Sequence, residues 1–327
     1  MENNINDIIG KALIANNKEY NNKNIHALLN SIKESILNNK QIFYQANDID
    51  NKNDNGVILD FKIFENIFNL VLKEKIMYGD VIKSVKDENN KIIYGKQLSN
   101  LGLVTIITDG NPYITLEMIL RNILAYNSII LCNNGKSYGL NNLIVEIVKS
   151  NLKKYNYDEN LVNLYITDDY NKLLKNFASI NKVICIGSHD LQQIVLRQAQ
   201  NSVILSGYEN YELYIESIDN IEFINKIIET NLNIQVYIRK DINIKIEDSI
   251  DVVDVDEAIS LINYNGSGYS SSIFTNDKNN ASKFLHDVNS KIVTVNTSPT
   301  IERICDIKQQ DLVVEKTMIY PIWPLGK

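Results

Sequence analysis

The sequence predicts an α/β fold: a Rossmann-type, doubly wound parallel sheet followed by a second α/β domain. The first observation is residues 101–134, LGLVTIITDGNPYITLEMILRNILAYNSIILCNN, where two apolar runs flank a turn and a segment with helical spacing. Continuously apolar runs, as opposed to alternating ones, are typical of parallel strands covered by helices on both faces. The second observation is that strand-like and helix-like segments go on alternating up to residue 205, which is the pattern of a doubly wound sheet.

Residues 101–134 form the centre of this prediction. Residues 102–108 are predicted to be a strand, residues 115–125 a helix and residues 128–132 the next strand. The turn Asp109-Gly110-Asn111-Pro112 follows the first strand, and open α/β sheets bind their ligands where strands end.

A nucleotide-binding Rossmann-like domain is predicted over residues 101–207. Beyond the central unit the pattern predicts helices at 140–154, 170–177 and 191–200, and strands at 161–167, 182–186 and 202–205. Together with the two central strands these make a five-stranded sheet, whose crossovers are expected to be right-handed.

The region before this domain is predicted to be helical over residues 1–79, with a hairpin over residues 80–100. Apolar stripes at helical spacing begin at Ile5 and at Ile25, and a further apolar helix surrounds Phe64. Residues 47–56 are polar and are predicted to be a loop. The hairpin consists of two strand-like segments joined at Glu88-Asn89-Asn90.

Composition excludes several classes of protein. The net charge of −7 and the pI near 5.2 argue against nucleic acid or an anionic membrane as the main partner. No apolar run approaches the roughly 20 residues that span a bilayer, and the N-terminus lacks the features of a secretory signal. We therefore expect a cytoplasmic protein.

Cysteine and histidine usage adds two expectations. The three cysteines, Cys132, Cys185 and Cys305, are too few for a disulfide scaffold. The three histidines do not cluster with Cys, Asp or Glu at metal-ligand spacing, so no metal site is expected.

The central stretch resembles the first β–α–β unit of the aldehyde dehydrogenase superfamily. The matching residues are LGLV at 101–104, Asn111-Pro112, and YNSIIL at 126–131. Further matches are SSSIFT at 270–275 and IVTVN at 292–296. The Asn-Pro form of the turn is nearest to the CoA-acylating aldehyde dehydrogenases and the γ-glutamyl phosphate reductases.

The resemblance implies a domain plan and an oligomeric state. Residues 208–300 would be a truncated catalytic-like domain, and residues 301–327 a tail with an oligomerisation strand over 312–320. In the family the hairpin and terminal strand form an arm that adds to the partner's sheet, so a homodimer is expected. The alternative is that the tail folds back on its own domain.

The same resemblance implies chemistry that this chain lacks. The family attacks its substrate with a cysteine thiolate, and the matching interval, residues 211–249, contains no cysteine and is too short. Cys132 and Cys185 end strands inside the nucleotide-binding domain and are interpreted as buried hydrophobic residues. Cys305 has no evident helix N-terminus or cationic partner in the sequence.

Four residues are candidates for binding. By resemblance, Asn111 would donate to a developing oxyanion; its alternative role is a helix N-cap. Gly187 and Ser188 precede a helix whose N-terminus would hold the pyrophosphate of NAD or NADP. Lys136 would reach the adenosine ribose or a phosphate, or is simply a solvated loop lysine.

Three functions remain open from the sequence. The first is a degenerate superfamily member, not an enzyme, kept for nucleotide binding or for a structural or regulatory role. The second is an active NAD(P)-dependent aldehyde or acyl-CoA oxidoreductase with a non-standard nucleophile. The third is a self-associating scaffold without a cofactor. Loss of the thiol favours the first.

Overall fold

A computed structural model describes residues 4–18, 24–53, 56–89, 91–207, 211–230, 234–266, 268–299 and 307–322. The chain divides into two compact units. The first comprises residues 1–207 and 304–327, and the second comprises residues 208–303. The terminal segment therefore belongs to the same unit as the first 207 residues.

The helices and strands alternate along most of the chain. The helices are α1 Ile5–Asn16, α2 Ile25–Asn38, α3 Lys40–Asn51, α4 Phe61–Val71, α5 Pro112–Leu124, α6 Tyr138–Lys154, α7 Asn171–Leu174, α8 His189–Gln198, α9 Ile221–Thr230, α10 Val255–Asn265 and α11 Lys278–Asp287. The strands are β1 Val81–Asp87, β2 Ile92–Asn100, β3 Leu103–Thr108, β4 Ser128–Asn133, β5 Val162–Ile166, β6 Lys182–Ile186, β7 Val203–Ser206, β8 Tyr211–Ile215, β9 Ile234–Arg239, β10 Ile250–Val252, β11 Ser270–Phe274, β12 Ile292–Val295 and β13 Val313–Pro321.

The first unit contains a five-stranded parallel sheet in the order β5-β4-β3-β6-β7. All six residues of β3 and all six of β4 are buried. Val104 and Ile106 pack in the same apolar cluster as α2, α4, α5 and α6, whereas Leu103 and Ile107 pack in the cluster that includes α1. Helices cover both faces of the sheet, so successive residues of β3 and β4 are buried on alternate faces. This arrangement explains the continuously apolar runs in the sequence.

The N-terminal region is helical, as predicted, but one predicted loop is wrong in part. Residues 47–51 of the expected polar loop form the last turns of α3. Asn47 is buried, and its amide bonds both the N–H and the carbonyl of Val57, at 3.0 and 2.8 Å. A polar stretch thus remains helical because its polar side chains are satisfied inside the protein.

Other boundaries differ by a few residues. The helix expected at 170–177 is shorter in the structure: α7 has four residues, Asn171–Leu174, and turns follow it. Helix α5 begins at Pro112, three residues before the predicted start, because Asn111 caps it and proline suits the first helical position. Strand β10 was not predicted from the sequence.

The second unit contains another five-stranded parallel sheet, in the order β10-β9-β8-β11-β12. One face packs on α10 and α11 through Tyr214, Ile273 and Phe284. The opposite face packs on α9, with Ile242, Ile244 and Ile246 of the β9–β10 connection lying against it. The predicted fold class, two α/β units with parallel sheets, is therefore confirmed.

A three-stranded antiparallel sheet, β1-β2-β13, belongs to the first unit. The predicted hairpin is present as β1 and β2. Strand β13 pairs along nine residues with β2 of its own chain, so the hairpin and the terminal strand form one sheet. The addition of this sheet to that of a partner chain stays a prediction. Within this sheet, as far as the structure describes the chain, β2 is the central strand and β1 and β13 are the edges.

Candidate nucleotide-binding site

The first sheet has a topological switch point between β3 and β6. From β3 the chain crosses to β4 on one side, and β6 lies on the other side of β3. Open α/β sheets bind their ligands beyond the carboxyl ends of the strands at such a point. The turns at this point are Asp109-Gly110-Asn111 after β3 and Gly187-Ser188 after β6.

The turn after β3 touches the turns on both of its sides. A Cβ atom on Gly110 would stand 2.4 Å from the carbonyl oxygen of Lys136, and one on Gly187 would stand 3.8 Å from the backbone nitrogen of Asp109. Asn141 ties two of the turns together, because its Nδ2 donates to the carbonyls of Gly110 and Lys136 at 2.7 and 3.1 Å. The backbone turns that carry all four predicted site residues are thus grouped at one edge of the sheet.

Asn111 is the N-cap of α5. Its Oδ1 accepts hydrogen bonds from the backbone N–H groups of Tyr113 and Ile114, at 2.9 and 3.4 Å. The capping role considered from the sequence is therefore present.

Gly187 and Ser188 lie between β6 and α8, as the sequence predicts. Ser188 caps α8 by a long hydrogen bond of 3.4 Å from the N–H of Leu191 to its Oγ. A Cβ on Gly187 would stand 2.7 Å from Cδ2 of Leu191, so glycine allows the close turn into the helix. Asp190 lies in the first turn and offsets part of the helix dipole.

Two other helix N-termini at this edge are capped more tightly. Asn111 caps α5, and Asp50 of α3 accepts from the first amides of α6 at 2.9 and 3.1 Å. The N-terminus of α8 therefore has the weakest side-chain cap of these three helices. An anion that binds at the N-terminus of α8 would therefore compete with the weakest of the three capping hydrogen bonds.

A cleft of about 1000 Å³ opens beside the turn of Lys136. It lies at the carboxyl ends of β4 and β5, away from the switch point, and sequence reasoning missed it. Its lining is mixed aromatic, aliphatic and polar: Asn4, Ile5, Gly135, Tyr138, Asn142, Leu164, Tyr165, Ile166, Thr167 and Lys172. Lys136 is exposed and lies in the chain between Gly135 and Tyr138, which both line the cleft. The only sequence signal for this cleft was its position after two predicted strands.

The two cysteines among the described residues are buried and unreactive in setting. Cys132 and Cys185 both pair in register with Ile107, one on each side of β3. Burial raises the pKa of the Cys132 thiol far above its ordinary value. Burial, with Asp109 nearby, raises that of Cys185 to about 12. Neither thiol is ionised near neutral pH. Cys305 lies outside the described residues.

The carboxyl edge of the second sheet carries a polar network that the sequence did not indicate. Glu216, which is buried, accepts hydrogen bonds from Arg239 at 3.0 Å, from Asn280 at 2.8 Å and from the hydroxyl of Thr275. A cavity of about 470 Å³ lies over it. Because the buried carboxylate is fully bonded within the protein, the network stabilises the ends of β8, β9 and β11.

Two kinds of feature are absent from the described ranges. No group of three or more His, Cys, Asp or Glu side chains in those ranges is placed to hold a metal ion. No helix in the part of the chain that the structure describes is long and apolar enough to cross a membrane.

Comparison with known proteins places this site in context. No protein-family model matches the chain. It is 26% identical over 284 residues to a γ-glutamyl phosphate reductase of Clostridium botulinum (strain Alaska E43 / Type E3), covering 70% of this chain and 68% of that protein. It is 24% identical over 354 residues to that of Dictyoglomus thermophilum, covering 86% and 83%.

Solved structures give the same result for the fold. The γ-glutamyl phosphate reductase of Thermotoga maritima matches with a TM-score of 0.72 and 19% identity, over 99% of this chain and 100% of that one. A putative aldehyde dehydrogenase of Bacillus subtilis matches with a TM-score of 0.77 and 12% identity, over 97% and 90%. The glyceraldehyde-3-phosphate dehydrogenase GapN of Methanocaldococcus jannaschii, solved in complex with NADP, matches with a TM-score of 0.68 and 16% identity, over 97% and 94%.

The homologues of this chain are γ-glutamyl phosphate reductases, and its structural neighbours are members of the aldehyde dehydrogenase superfamily. The predicted resemblance is confirmed. The match to the Dictyoglomus protein extends over 354 residues, more than the 327 of this chain, so that protein has insertions relative to this one.

Proposed function

We propose that this chain, a γ-glutamyl phosphate reductase-like protein with the aldehyde dehydrogenase fold, binds NAD or NADP and has lost the thiol chemistry of the superfamily. The observation that carries the proposal is the grouping of three turns at the switch point of the first sheet, with the weakly capped N-terminus of α8 beside them. A related fold, GapN, was solved with NADP bound, which supports a dinucleotide as the ligand.

The residues present fit such a ligand. The first-turn amides of α8 would hold the pyrophosphate, because free N–H groups and the helix dipole favour an anion there. The cleft beside Gly135 and Tyr138 is of the size and mixed polarity that suit an adenosine. Lys136, exposed in the same turn, adds a positive charge. The bound nucleotide would supply hydride-transfer chemistry, and the chain contributes binding and orientation.

The cysteines of the chain support the loss of thiol chemistry. Residues 211–249, where the superfamily cysteine is expected, contain none. Cys132 and Cys185 are buried with raised pKa values. An active enzyme would therefore need Cys305 or a nucleophile of another kind, and the oxyanion role of Asn111 would have no covalent adduct to stabilise.

A titration tests the proposal. The protein is titrated with NAD, NADH, NADP, NADPH and CoA while the thermal midpoint is followed, since a ligand that binds only the folded state raises it. We expect a shift with a dinucleotide. Ser188→Asp should weaken that binding at least about tenfold, or about 1.4 kcal/mol, because a carboxylate repels the pyrophosphate. Ser188→Ala is the matched control and should bind as the parent does.

Two outcomes would contradict this proposal. If no nucleotide shifts the thermal midpoint of the parent, the binding function is wrong. If Ser188→Asp binds as tightly as Ser188→Ala, the N-terminus of α8 is not the phosphate site.

A second candidate function, self-association, is favoured by the sheet β1-β2-β13. Many of its apolar side chains are exposed: Val81, Ile82, Val85, Tyr94, Val314, Ile319 and Tyr320. In the described part of the chain, β1 and β13 each pair only with β2. Exposed apolar strands with unpaired edges tend to associate, and a symmetric dimer would cover them with one self-complementary interface.

A further inference from the structure

We propose that Asp50, in the N-terminal helical region, is a positioning residue for the nucleotide-binding turn formed by residues 134–138. This inference rests on the proposed nucleotide binding and identifies a residue that acts through the turn, without touching the ligand.

Asp50 provides a cap that α6 does not have in its own sequence. Ser137, the residue before α6, has φ 50° and ψ 40° and makes no side-chain capping bond. Asp50 of α3 takes that place: its two carboxylate oxygens accept from the N–H groups of Gly139 and Leu140, at 2.9 and 3.1 Å. These are orphan donors of the first turn, and a carboxylate is the favoured partner at a helix N-terminus.

The contact between the two helices is close. Asp50 is 6% exposed. A Cβ on Gly139 would stand 3.0 Å and 3.1 Å from the two oxygens of Asp50 and 3.2 Å from the carbonyl oxygen of Ala46. Glycine at 139 therefore lets the carboxylate approach the backbone, which a larger residue would push away.

The turn that Asp50 anchors carries unusual backbone angles. Gly135 has φ 90° and Ser137, which is fully buried, has φ 50°. A non-glycine residue in the left-handed region persists only where its surroundings hold it. The turn is held at one end by the side chains of Asn133 and Asn134, which accept from Gly135 and Lys136. Asp50 holds the other end.

The anchored turn borders the proposed site on two sides. Gly135 and Tyr138 line the cleft of about 1000 Å³, and the carbonyl of Lys136 faces Gly110 at the switch point. The carboxylate of Asp50 also fills the N-terminus of α6, so a phosphate is repelled there. The pyrophosphate would therefore bind at the N-terminus of α8. The turn of residues 134–138 would border the adenosine in the cleft.

The test compares two buried polar residues of α3 that differ in what they touch. Asp50 and Asn47 are both 6% exposed and each makes two hydrogen bonds to backbone, Asp50 to the turn of α6 and Asn47 to Val57. Asp50→Ala and Asn47→Ala should lower the denaturation midpoint by similar amounts. Only Asp50→Ala should raise the dissociation constant for NADPH or NADH, by at least about tenfold, and Asp50→Asn, which keeps one acceptor, should restore part of the affinity. Asp48→Ala, at an exposed position, should change neither property.

Hydrogen exchange on the ligand-free protein gives an independent measurement. The amides of Gly139 and Leu140 should exchange faster in Asp50→Ala, while those in the middle of α6 stay protected. A parent that binds no nucleotide overturns both proposals. A parent that binds, with an Asp50→Ala variant of unchanged dissociation constant, overturns this inference alone. An equal loss of affinity in Asn47→Ala and Asp50→Ala would also overturn it, because general destabilisation would then account for the effect.

Discussion

Gly110 lies so close to Lys136 that a Cβ on the glycine would stand 2.4 Å from the lysine's carbonyl oxygen. Gly110 also has φ 92°, an angle that other residues adopt with strain. The turns after β3 and β4 therefore meet backbone to backbone. A substitution at Gly110 therefore tests whether this contact holds the two turns together.

We expect Gly110→Ala to destabilise the protein by about 1–3 kcal/mol and to weaken nucleotide binding, because the two turns must separate. Gly10→Ala is the control, since nothing lies within 4 Å of a Cβ at that position in α1. It should stabilise by about 0.5–1 kcal/mol. Urea denaturation measures both variants. A Gly110→Ala variant as stable as the parent would mean that the turns are not in contact.

The purified protein should neither oxidise simple aldehydes nor reduce acyl-CoA. Residues 211–249, where the superfamily cysteine is expected, contain no cysteine, and Cys132 and Cys185 are buried. The measurement is formation or consumption of NAD(P)H by absorbance. Turnover that Cys305→Ala abolishes would contradict the prediction and establish the active enzyme with a non-standard nucleophile.

Stability should fall at high pH partly because of Cys185. Its pKa is raised from 9.0 to about 12 in the folded protein, so above pH 9 the unfolded chain loses this proton while the folded chain keeps it. The free energy of unfolding then decreases with rising pH, by up to about 1.4 kcal/mol per pH unit for one thiol. Cys185→Ala should show a shallower decline between pH 9 and 11 than the parent in urea denaturation. Identical slopes would mean that the thiol is not shielded.

Arg121 should be the most costly charged side chain to remove. It is 2% exposed and bonds Glu117 at 2.9 Å and Glu74 at 2.5 Å. Arg121→Met leaves the carboxylate of Glu117, itself 2% exposed, without this partner, so a loss of about 3–5 kcal/mol is expected. Adding Glu117→Leu should recover much of that loss.

The exposed pair of Lys11 and Asp7, at 2.8 Å, is the control for Arg121. Lys11→Met should cost less than about 1 kcal/mol, because exposed pairs contribute little. If Arg121→Met costs no more than Lys11→Met in the same denaturation assay, the buried network does not stabilise the fold.

The full-length chain should be a dimer at micromolar concentration by light scattering. The reason is the exposed apolar sheet β1-β2-β13, whose outer edges at β1 and β13 pair with no other strand in the described part of the chain. Replacing exposed Val81 and Ile319 with Lys should give a soluble monomer, because those side chains lie outside the core of the chain. Removing residues 313–327 should give insoluble protein, since it uncovers one edge of β2. A monomeric parent would end the dimer proposal.

The sequence by itself determined the secondary structure and the fold class of most of this chain. The buried strands β3 and β4 are continuously apolar, and α5 follows a turn that only a few residue types form, so local pattern was sufficient. The absence of a cysteine from residues 211–249 is likewise a property of the sequence alone. The candidate residues Asn111, Gly187 and Ser188, which follow predicted strands, were identified through the resemblance to the superfamily.

Only the tertiary structure decided which distant groups meet. The bond between Asp50 and Gly139 joins residues 89 positions apart, and β13 pairs with a hairpin more than 200 positions earlier. Nothing local distinguishes Asp50 from the exposed Asp48, two residues before it. A hydrogen bond depends on where the fold places a donor, whereas a strand or helix depends on neighbours in sequence. Periodicity therefore predicted the elements, and the packing of those elements decided the cap of α6 and the shape of the site.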